Sequence, residues 1–292
     1  MKKIIGLVGY GIVGKAHDIA FKQHCQVWIN DPAFEDHERY LPKKSLMRHC
    51  AAIFVGVPTP YDPRTQTFTS DIIYQVFKEL EEAKNPKNNP VIVIKSAVLP
   101  TVVMELQKRH PELRIVVSPE YLSERNSIAD LLAQETLILG GKKEDRDVVI
   151  DLYFNHSSCN KKATIGEGDN AAQIALIKYM ENSFLALKVI FMNEFKLLHD
   201  KMFGSKKDSE FNEIIKIHQL DTRMGGPYPY SIPGPDGHLG FGGKCLPKDL
   251  LSIIAEADEY GISMDILRET WKKNLEVRED RNWTEIKGAI EE

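Results

Sequence analysis

The feature that most constrains the fold is a glycine-rich turn that directly follows a short apolar run near the N-terminus. Residues 3–8 form the apolar run, and Gly9-x-Gly11-x-x-Gly14 follows it and opens a helical stretch. A strand that is apolar throughout is typical of a sheet buried on both faces. A second run, residues 26–30, ends at Asp31. This order of strand, glycine turn, helix, strand and acid predicts a dinucleotide-binding βαβ unit.

The same turn predicts the cofactor. Glycines let the chain turn tightly and approach a ligand closely. The helix N-terminus, with Ile12 and Val13 in its first turn, offers amide donors to a pyrophosphate. Asp31 would accept hydrogen bonds from ribose hydroxyls, and its charge disfavours a 2′-phosphate, so NAD is expected rather than NADP. The alternative is an αβ domain whose glycine turn holds no cofactor.

Short apolar runs alternate with helical or loop segments through roughly the first 165 residues. The further predicted strands are 52–57, 91–95, 114–118 and 136–139, and the predicted helical segments include 70–83, 100–109 and 143–155. This alternation predicts an α/β domain of the Rossmann type, with a doubly wound parallel sheet and helices on both faces. We place this NAD-binding domain at residues 1–167.

The pattern changes after this domain. From Asp169 to about Phe203 the sequence predicts one long helix, because it contains no proline or glycine before Gly204. Such a helix would extend about 50 Å, long enough to connect two domains. Helical patterns follow at 208–218, 247–260 and 264–277, with a Gly/Pro-rich loop at 224–243. Residues 168–292 are therefore predicted to form the connecting helix and a smaller, mostly helical domain.

Composition excludes several classes of function. A net charge of −4 gives no general basic surface for nucleic acid. The four cysteines are widely spaced, without CxxC or zinc-like spacing, so we expect no metal and a reducing cytoplasm. The apolar N-terminal run is short and interrupted by glycines, unlike a signal peptide. No segment approaches the apolar length of a membrane span, about 20 residues.

A second glycine-rich stretch, residues 240–249, places one cysteine where it could act as a nucleophile. Cys245 follows three glycines, lies between Lys244 and Lys248, and precedes Pro247, which is expected to open a helix. A thiol near cations and a helix N-terminus should have a lowered pKa and more thiolate. The stretch therefore indicates a covalent catalyst. The alternative is a glycine turn that contains a small buried thiol.

Three weaker patterns add candidate residues. Thr59, in a rigid Val-Pro-Thr-Pro turn, follows the third strand, where ligands bind in doubly wound sheets. Glu120 and Glu124, if helical, share one face and could act as acid and base; spacing alone favours a solvated acidic helix start. Lys178 and Asn182 are one turn apart on the long helix and could stabilise an oxyanion. The alternative, that Lys178 is an exposed lysine whose stem lies along the surface, is an equally good interpretation.

Taken together, these motifs resemble the UDP-glucose/GDP-mannose dehydrogenase family, and the resemblance extends from residue 1 to about 280. The motifs that carry it are Gly9-x-Gly11-x-x-Gly14, Val57-Pro58-Thr59-Pro60, Lys95-Ser96, Ser118-Pro119-Glu120-x-Leu122, Lys178-Tyr179-x-x-Asn182-x-Phe184-Leu185-Ala186-x-Lys188, Asp221-x-Arg223 and Gly240-Phe241-Gly242-Gly243-x-Cys245-Leu246-Pro247-Lys248-Asp249. The cysteine motif is highly specific.

The resemblance implies the chemistry. The family oxidises the C6 alcohol of a nucleotide-linked hexose to a carboxylate in two NAD-dependent steps, and a uronate such as UDP-glucuronate would serve polysaccharide biosynthesis. Cys245 would attack the intermediate aldehyde, and the thiohemiacetal would be oxidised to a thioester that water cleaves. Lys178 and Asn182 would stabilise oxyanions, and Asp249 would help position the water. Glu120 or Glu124 would supply acid/base function.

The resemblance also implies binding residues and a homodimer. The cofactor would contact Gly9, Gly11, Ile12, Val13, Asp31, Thr59, Ser96 and Glu124. The nucleotide-sugar substrate would contact Glu120, Tyr121, Leu122, Lys178, Asn182, Arg223, Phe241, Gly242, Gly243 and Cys245. In family members, an arginine in the position of Arg223 reaches across a dimer interface to the substrate.

Two departures from the family pattern matter. The family has Lys-Ser-Thr where this chain has Lys95-Ser96-Ala97, and that threonine hydroxyl normally helps to hold the catalytic water. Losing one such donor can cost several kcal/mol. Family members also continue into another Rossmann-like domain that binds nucleotide, whereas this sequence ends at Glu292. We expect a short form or a truncated chain, with a separate chain as one source of the missing surface.

Two alternatives to this function remain open. A two-electron dehydrogenase of the related hydroxyacid type shares the Rossmann domain and a lysine on the long helix, but lacks the cysteine loop. The second alternative is a non-catalytic NAD-binding scaffold, which would bind NAD without turning over any nucleotide sugar.

Overall fold

The computed structural model describes residues 2–62, 64, 67–123, 125–204, 207–221, 228–229, 231–286 and 288–290. The chain divides into two compact units. The first comprises Met1–Thr59 and Thr69–Lys178, and the second comprises Pro60–Phe68 and Tyr179–Glu292. The boundary expected at 167/168 falls at the end of a strand, whereas the units divide further along, within the long helix.

The first unit contains a seven-stranded sheet in the order β2-β1-β3-β6-β7-β8-β9. Its strands are β1 (Ile4–Val8), β2 (Gln26–Asn30), β3 (Ala52–Val55), β6 (Val91–Ile94), β7 (Arg114–Val117), β8 (Thr136–Gly140) and β9 (Thr164–Gly168). Every neighbouring pair is parallel except β7 and β8, which are antiparallel. The α/β prediction is confirmed, although the sheet is mostly, and not wholly, parallel.

The reversal at β8 and the strand β9 were not predicted, and both have local causes. The helix between β7 and β8, α5 (Ser127–Ala133), has seven residues and packs against α1 (Ile12–Phe21). Parallel pairs need a longer crossover over the sheet face. β9 has the sequence Thr-Ile-Gly-Glu-Gly and lies partly exposed at the sheet edge, so it lacks the continuous apolar character of a central strand.

The remaining helices of the first unit follow the predicted pattern closely. They are α2 (Lys43–His49), α3 (Asp71–Glu82), α4 (Pro100–Arg109) and α6 (Lys143–Asn155). The bounds of α4 and α6 agree with the sequence prediction, and α3 lies within its predicted range. Helices α1, α5 and α6 bury apolar side chains against strands β1, β3, β6 and β8, which holds the carboxyl ends of the strands in fixed positions.

The long helix α7 (Ala171–Phe203) has 33 residues and runs from the first unit into the second. The second unit adds α8 (Asp208–His218), α9 (Cys245–Glu259), α10 (Asp265–Val277) and a short hairpin of β4 (Tyr61–Asp62) and β5 (Thr67–Phe68). Helix α9 begins two residues before the predicted start at Pro247. Proline is tolerated there because the amides of the first turn have no helical acceptor.

The core of the second unit packs α7, α8, α9 and α10 around Phe211, Phe241 and Leu250. A smaller apolar cluster joins Tyr61 of the hairpin to Trp283 and Ile290 near the end of the chain, and the Tyr61 amide donates to the carbonyl of Ala289 at 3.1 Å. These contacts assign the hairpin to the second unit. Within the described residues, no helix is both long and apolar enough to cross a membrane.

Candidate active site

The glycine turn of the first unit has the geometry that a dinucleotide requires. Gly9 has φ +89°, and a Cβ there would collide with the carbonyl group of Gly56 at the end of β3. A Cβ on Gly14 would collide with the Gly9 carbonyl oxygen, whereas Gly11 faces open space. The first turn of α1 therefore stands free of side chains at Gly11, with its amides available to a phosphate.

Asp31 is held in a defined orientation beside this turn. One carboxylate oxygen accepts a hydrogen bond from the Tyr10 amide at 2.7 Å, and the other accepts from the Ala33 amide at 2.9 Å. Both bonds fix the carboxylate at the carboxyl end of β2, where a ribose would lie. The free amides and the fixed acid together fit NAD.

Two hydroxyls tie together the loops that follow β3 and β6. The Ser96 hydroxyl accepts from the Val57 amide at 2.8 Å and lies 2.9 Å from the Val57 carbonyl. The Thr59 hydroxyl donates to the Ala97 carbonyl at 2.8 Å. Thr59 and Ser96, both predicted cofactor contacts, thus also hold the strand ends in place.

Glu120 lies in a segment, residues 118–123, that forms neither a helix nor a strand. The helical face that the spacing of Glu120 and Glu124 suggested therefore does not form at Glu120, and the solvated helix start is also wrong for this residue. Its side chain is only 9% exposed and is paired with the Lys95 ammonium. Glu124 and Arg223 lie outside the described residues.

A buried polar cluster surrounds Glu120, and sequence reasoning did not assign it. The Lys95 ammonium donates to the Ser118 hydroxyl at 2.9 Å and lies 3.3 Å from the Tyr153 hydroxyl. His17 Nδ1 donates to the Val13 carbonyl, because that oxygen can only accept, and His17 Nε2 lies 2.8 Å from the Tyr153 hydroxyl and 3.3 Å from Glu120 Oε1. A lysine ending an apolar strand is the one sequence signal for this cluster.

The cluster fixes the charge of Glu120. Burial alone would raise the pKa of Glu120, but attraction to Lys95 and the contact with His17 outweigh burial and hold the pKa below its usual range. Burial lowers the pKa of Lys95, and Glu120 opposes that shift. Burial also raises the pKa of Tyr153. Glu120 is therefore a carboxylate at neutral pH, which is unsuited to donating a proton as a general acid.

Two more predicted residues meet in the first unit. The Lys178 ammonium lies over the Tyr121 ring, 4.9 Å from its centroid. This cation–π contact orients the half-buried side chain of Lys178. Leu122, by contrast, packs against the apolar core of the first unit.

In the second unit, Cys245 is exposed and is the first residue of α9. The other three cysteines are buried, and burial raises the pKa of Cys25 to about 11 and that of Cys50 to about 12. The alternative of a small buried thiol is therefore wrong for Cys245. Cys245 lies at a helix N-terminus, where the positive end of the helix dipole favours a thiolate.

Asp249 lies one turn further along α9, where Asn182 and Lys248 hold it. Asn182 Nδ2 donates to one carboxylate oxygen and Lys248 Nζ to the other, each at 2.5 Å, and all three side chains are buried. Lys248 thus forms an ion pair with Asp249, and sequence reasoning did not predict this pair. Asn182 and Asp249, 67 positions apart, are brought into direct contact.

The remaining predicted substrate contacts lie in the loop before α9. The Phe241 side chain is buried in the core of the second unit, 6.1 Å from the Trp271 ring between centroids, so its backbone is the part that a ligand could contact. Gly242 and Gly243 are half-buried, and Gly243 has φ +74°. Among the described residues, no group of histidine, cysteine or acidic side chains could hold a metal ion.

Comparison with known proteins decides the family. Residues 40–157 match the NAD binding domain of the UDP-glucose/GDP-mannose dehydrogenase family, and residues 172–276 match the central domain of the same family. The chain belongs to this family. Its first unit carries the family's NAD-binding domain, and NAD is the cofactor that fits the turn at Gly9 and the carboxylate of Asp31.

Curated relatives of this UDP-glucose/GDP-mannose dehydrogenase family member are UDP-glucose 6-dehydrogenases. The protein from Rickettsia conorii is 29% identical over 236 residues, covering 78% of this chain and 50% of the relative. The protein from Campylobacter jejuni is 29% identical over 202 residues, covering 69% and 47%. The chain thus spans about half the length of the curated relatives that it matches.

Solved structures share the fold. A UDP-glucose dehydrogenase from Pyrobaculum islandicum superposes with a TM-score of 0.78 at 21% identity, covering 94% of this chain and 68% of that protein. The 3-hydroxyisobutyrate dehydrogenase of Mycobacterium tuberculosis superposes with a TM-score of 0.71 at 16% identity, covering 93% and 92%. At these identities the likeness is one of fold.

Proposed function

We propose that this protein catalyses the NAD-dependent, four-electron oxidation of the C6 alcohol of a nucleotide-linked hexose, with UDP-glucose as the expected substrate. The observation that carries the proposal is the exposed thiol of Cys245 at the first residue of α9, in a chain of this family. A two-electron hydroxyacid dehydrogenase has no use for such a thiol. The family assignment and the thiol together favour the four-electron reaction.

The reaction balances in two oxidations and one hydrolysis. The alcohol becomes an aldehyde as the C6 carbon loses a hydride and the hydroxyl loses a proton. The Cys245 sulfur then adds to the aldehyde carbon, and the thiol proton passes to the carbonyl oxygen to give a thiohemiacetal. Loss of a second hydride from that carbon, with the proton of its hydroxyl, leaves a thioester. Water cleaves the thioester to the carboxylate and returns the thiol. When bound, NAD accepts the hydride in each oxidation, so two NAD are reduced per hexose.

Polar and charged side chains on α7 and α9 are assigned roles from their surroundings. Lys178 and Asn182 would stabilise the oxyanions that form as the thiol and then water attack carbon. Asp249 would accept a hydrogen bond from the attacking water. Its contacts with Lys248 and Asn182 support this role, because they hold the carboxylate in one orientation.

The two glutamates are assigned different roles. Glu120, held as a carboxylate by Lys95, would bind substrate hydroxyls as an acceptor. The acid/base function that the resemblance implies would then fall to Glu124. A Glu124→Gln variant should lower kcat more than it raises the substrate KM, whereas Glu120→Gln should act mainly on KM. Equal effects on both constants in both variants would contradict this division.

Ala97 weakens the water-dependent step. Its backbone carbonyl accepts a hydrogen bond from the Thr59 hydroxyl, but its methyl side chain has no hydroxyl that could hold the catalytic water. The hydrolysis would therefore rely more on Asp249. We expect Ala97→Thr to raise the rate of uronate formation, and an unchanged rate would count against this role for position 97.

The test is NADH formation by the purified protein with UDP-glucose, followed by absorbance at saturating NAD. We expect two NADH per UDP-glucose, and no NADH from a Cys245→Ser control. A panel of other nucleotide hexoses identifies the base and the sugar. NAD binding without NADH from any donor would support the non-catalytic scaffold, or the need for a separate chain that completes the site.

We also propose a homodimer formed through α7. The helix carries large apolar side chains at spacings of three, four and seven residues, and these are about half exposed or more: Met180, Phe184, Phe191, Phe195, Leu198 and Met202. A stripe with this spacing is typical of helix pairing, and soluble monomers rarely expose so large an apolar patch. A second copy of the chain offers the same stripe and would cover it.

A further inference from the structure

The loop that leads into Cys245 is held through its backbone by side chains from distant parts of the second unit. The Gly240 amide donates to Asn193 Oδ1 at 3.1 Å, and the Gly243 amide donates to Asn282 Oδ1 at 3.0 Å. Asn274 makes two bonds to Phe241: its Oδ1 accepts from the amide at 2.7 Å, and its Nδ2 donates to the carbonyl at 3.1 Å.

Arg278 completes this arrangement at the start of the loop. It is 2% exposed, and its guanidinium donates to the Asp236 carboxylate at 2.8 Å, to the Asp280 carbonyl at 2.6 Å and, more weakly, to the Leu239 carbonyl at 3.4 Å. We call Asn193, Asn274, Arg278 and Asn282 the asparagine clamp. Asn193 and Asn274 are fully buried, so their amide groups must find partners. The loop backbone supplies both partners of Asn274 and the donor to Asn193 Oδ1, whereas Asn193 Nδ2 donates to the Val189 carbonyl on α7.

The clamp explains two glycines of the cysteine motif. A Cβ on Gly240, which has φ +72°, would collide with the Asn274 side chain. A Cβ on Gly242 would lie 2.6 Å from both Arg278 Cζ and Asn282 Oδ1, too close for any real contact. The glycines therefore let the clamp side chains approach the backbone, in addition to letting the loop turn.

We propose that the asparagine clamp is a positioning device that sets the location of the Cys245 thiol at the start of α9. The loop enters α9 directly, so a shift of Phe241 or Gly243 moves the residue that begins the helix. A thiol in the first turn lies near unsatisfied amides, which stabilise its thiolate, and this effect fades within one turn. The functional meaning of the inference rests on the proposed role of Cys245 as nucleophile.

The test measures the reactivity of Cys245 without turnover. The protein is treated with iodoacetamide from pH 6 to 10, and the labelling rate is followed by intact mass, with Cys245→Ser as the background. We expect Asn274→Ala to move the apparent thiol pKa upward by ~1 unit, towards the ordinary value of about 8.5. The labelling rate at pH 7 should then fall about tenfold, in proportion to the thiolate fraction.

A matched control separates positioning from loss of stability. Thr270 is also buried on α10, and its hydroxyl donates to the Ile266 carbonyl within that helix. Thr270→Val removes a buried hydrogen bond on the same element and should leave the labelling profile unchanged. If Asn274→Ala fails to fold, Asn282→Ala, which is half-buried and holds the other end of the loop, should shift the profile in the same direction.

The outcomes are distinct from those of the proposed reaction. An upward shift in the clamp variant with an unshifted Thr270→Val supports the inference, even if no nucleotide sugar is oxidised. Profiles that superimpose, or a downward shift, overturn it, even if the parent protein makes two NADH per hexose. A shift of equal size in Thr270→Val also overturns it, because the effect would then be a general loss of stability.

Discussion

Replacing Lys95 with methionine should destabilise the first unit in a way that depends on pH. Methionine retains much of the length and apolar stem of lysine but removes the ammonium that pairs with Glu120. The carboxylate is 9% exposed, and its nearest remaining partner is His17 Nε2 at 3.3 Å. The variant therefore leaves a buried charge with one weaker contact in place of an ion pair.

The magnitude follows from the burial of the pair. Removing one partner of a buried pair costs about 3–5 kcal/mol, and the remaining contact with His17 favours the lower value. At ~2–4 °C per kcal/mol for a unit of this size, a loss of ~3 kcal/mol lowers Tm by roughly 6–12 °C. Lys143→Met is the exposed control, because its pair with Asp147 lies at the surface and should change Tm little.

The sign of the pH dependence follows from the pKa of Glu120. In the parent, this pKa lies below its usual range, so ionised Glu120 contributes stability above the unfolded pKa, about 4.3. That contribution is lost as the pH falls through the folded pKa. In Lys95→Met the pKa of Glu120 should rise, so protonation relieves the unpaired charge. The difference in Tm between parent and variant should therefore shrink from pH 7.5 to pH 5.

Differential scanning calorimetry of parent and variant at pH 7.5 and pH 5 measures this effect. The double variant Lys95→Met with Glu120→Gln removes both charges and should recover part of the lost stability, because no ion is then left buried. A single variant as stable as the parent at pH 7.5, or a loss of equal size at both pH values, would refute the reasoning.

Three further predictions test other parts of the molecule. Iodoacetamide should label one thiol in the native protein and none in Cys245→Ser, as read by intact mass; labelling of a second thiol would contradict the burial of the other cysteines. Asp31→Ser should weaken NAD binding about 10- to 100-fold by calorimetry, through loss of charged hydrogen bonds to ribose. The variant should not bind NADP strongly, because Arg39, whose carbonyl accepts from the Ile29 amide beside Asp31, already pairs with the Asp18 carboxylate and is not available to a 2′-phosphate. Phe195→Glu should halve the mass measured by light scattering, whereas Met104→Glu, an equally exposed site on α4, should leave it unchanged; a dimeric Phe195→Glu would exclude this face.

Much of the fold could be predicted because local sequence decides it. Apolar runs gave six of the seven strands of the main sheet, and α4, α6 and α8 begin and end where their patterns predict. What was missed is short or partly exposed: α2, α5, β9 and the hairpin at 61–68. Such elements have little periodicity of their own and form because neighbouring elements offer hydrogen bonds and apolar surface.

The candidate site was predictable only where a residue acts through its own local geometry. The acid that ends β2 and the cysteine that opens α9 could both be named from spacing. The pairing of Glu120 with Lys95 could not, because the two residues follow different strands and meet only when β6 and β7 lie side by side. That residues 118–123 do not form a helix likewise depends on contacts beyond the segment.

The sequence by itself determined which chemical groups the protein carries and most of the stretches that become strands and helices, since glycine freedom, apolar periodicity and side-chain chemistry are local properties. The tertiary structure alone decided which groups share an environment. It joined Asn182 to Asp249 across 67 positions and Asn274 to Phe241 across 33. Burial and charge pairing set the protonation and orientation of such groups, and both arise only when distant segments exclude water from the same place.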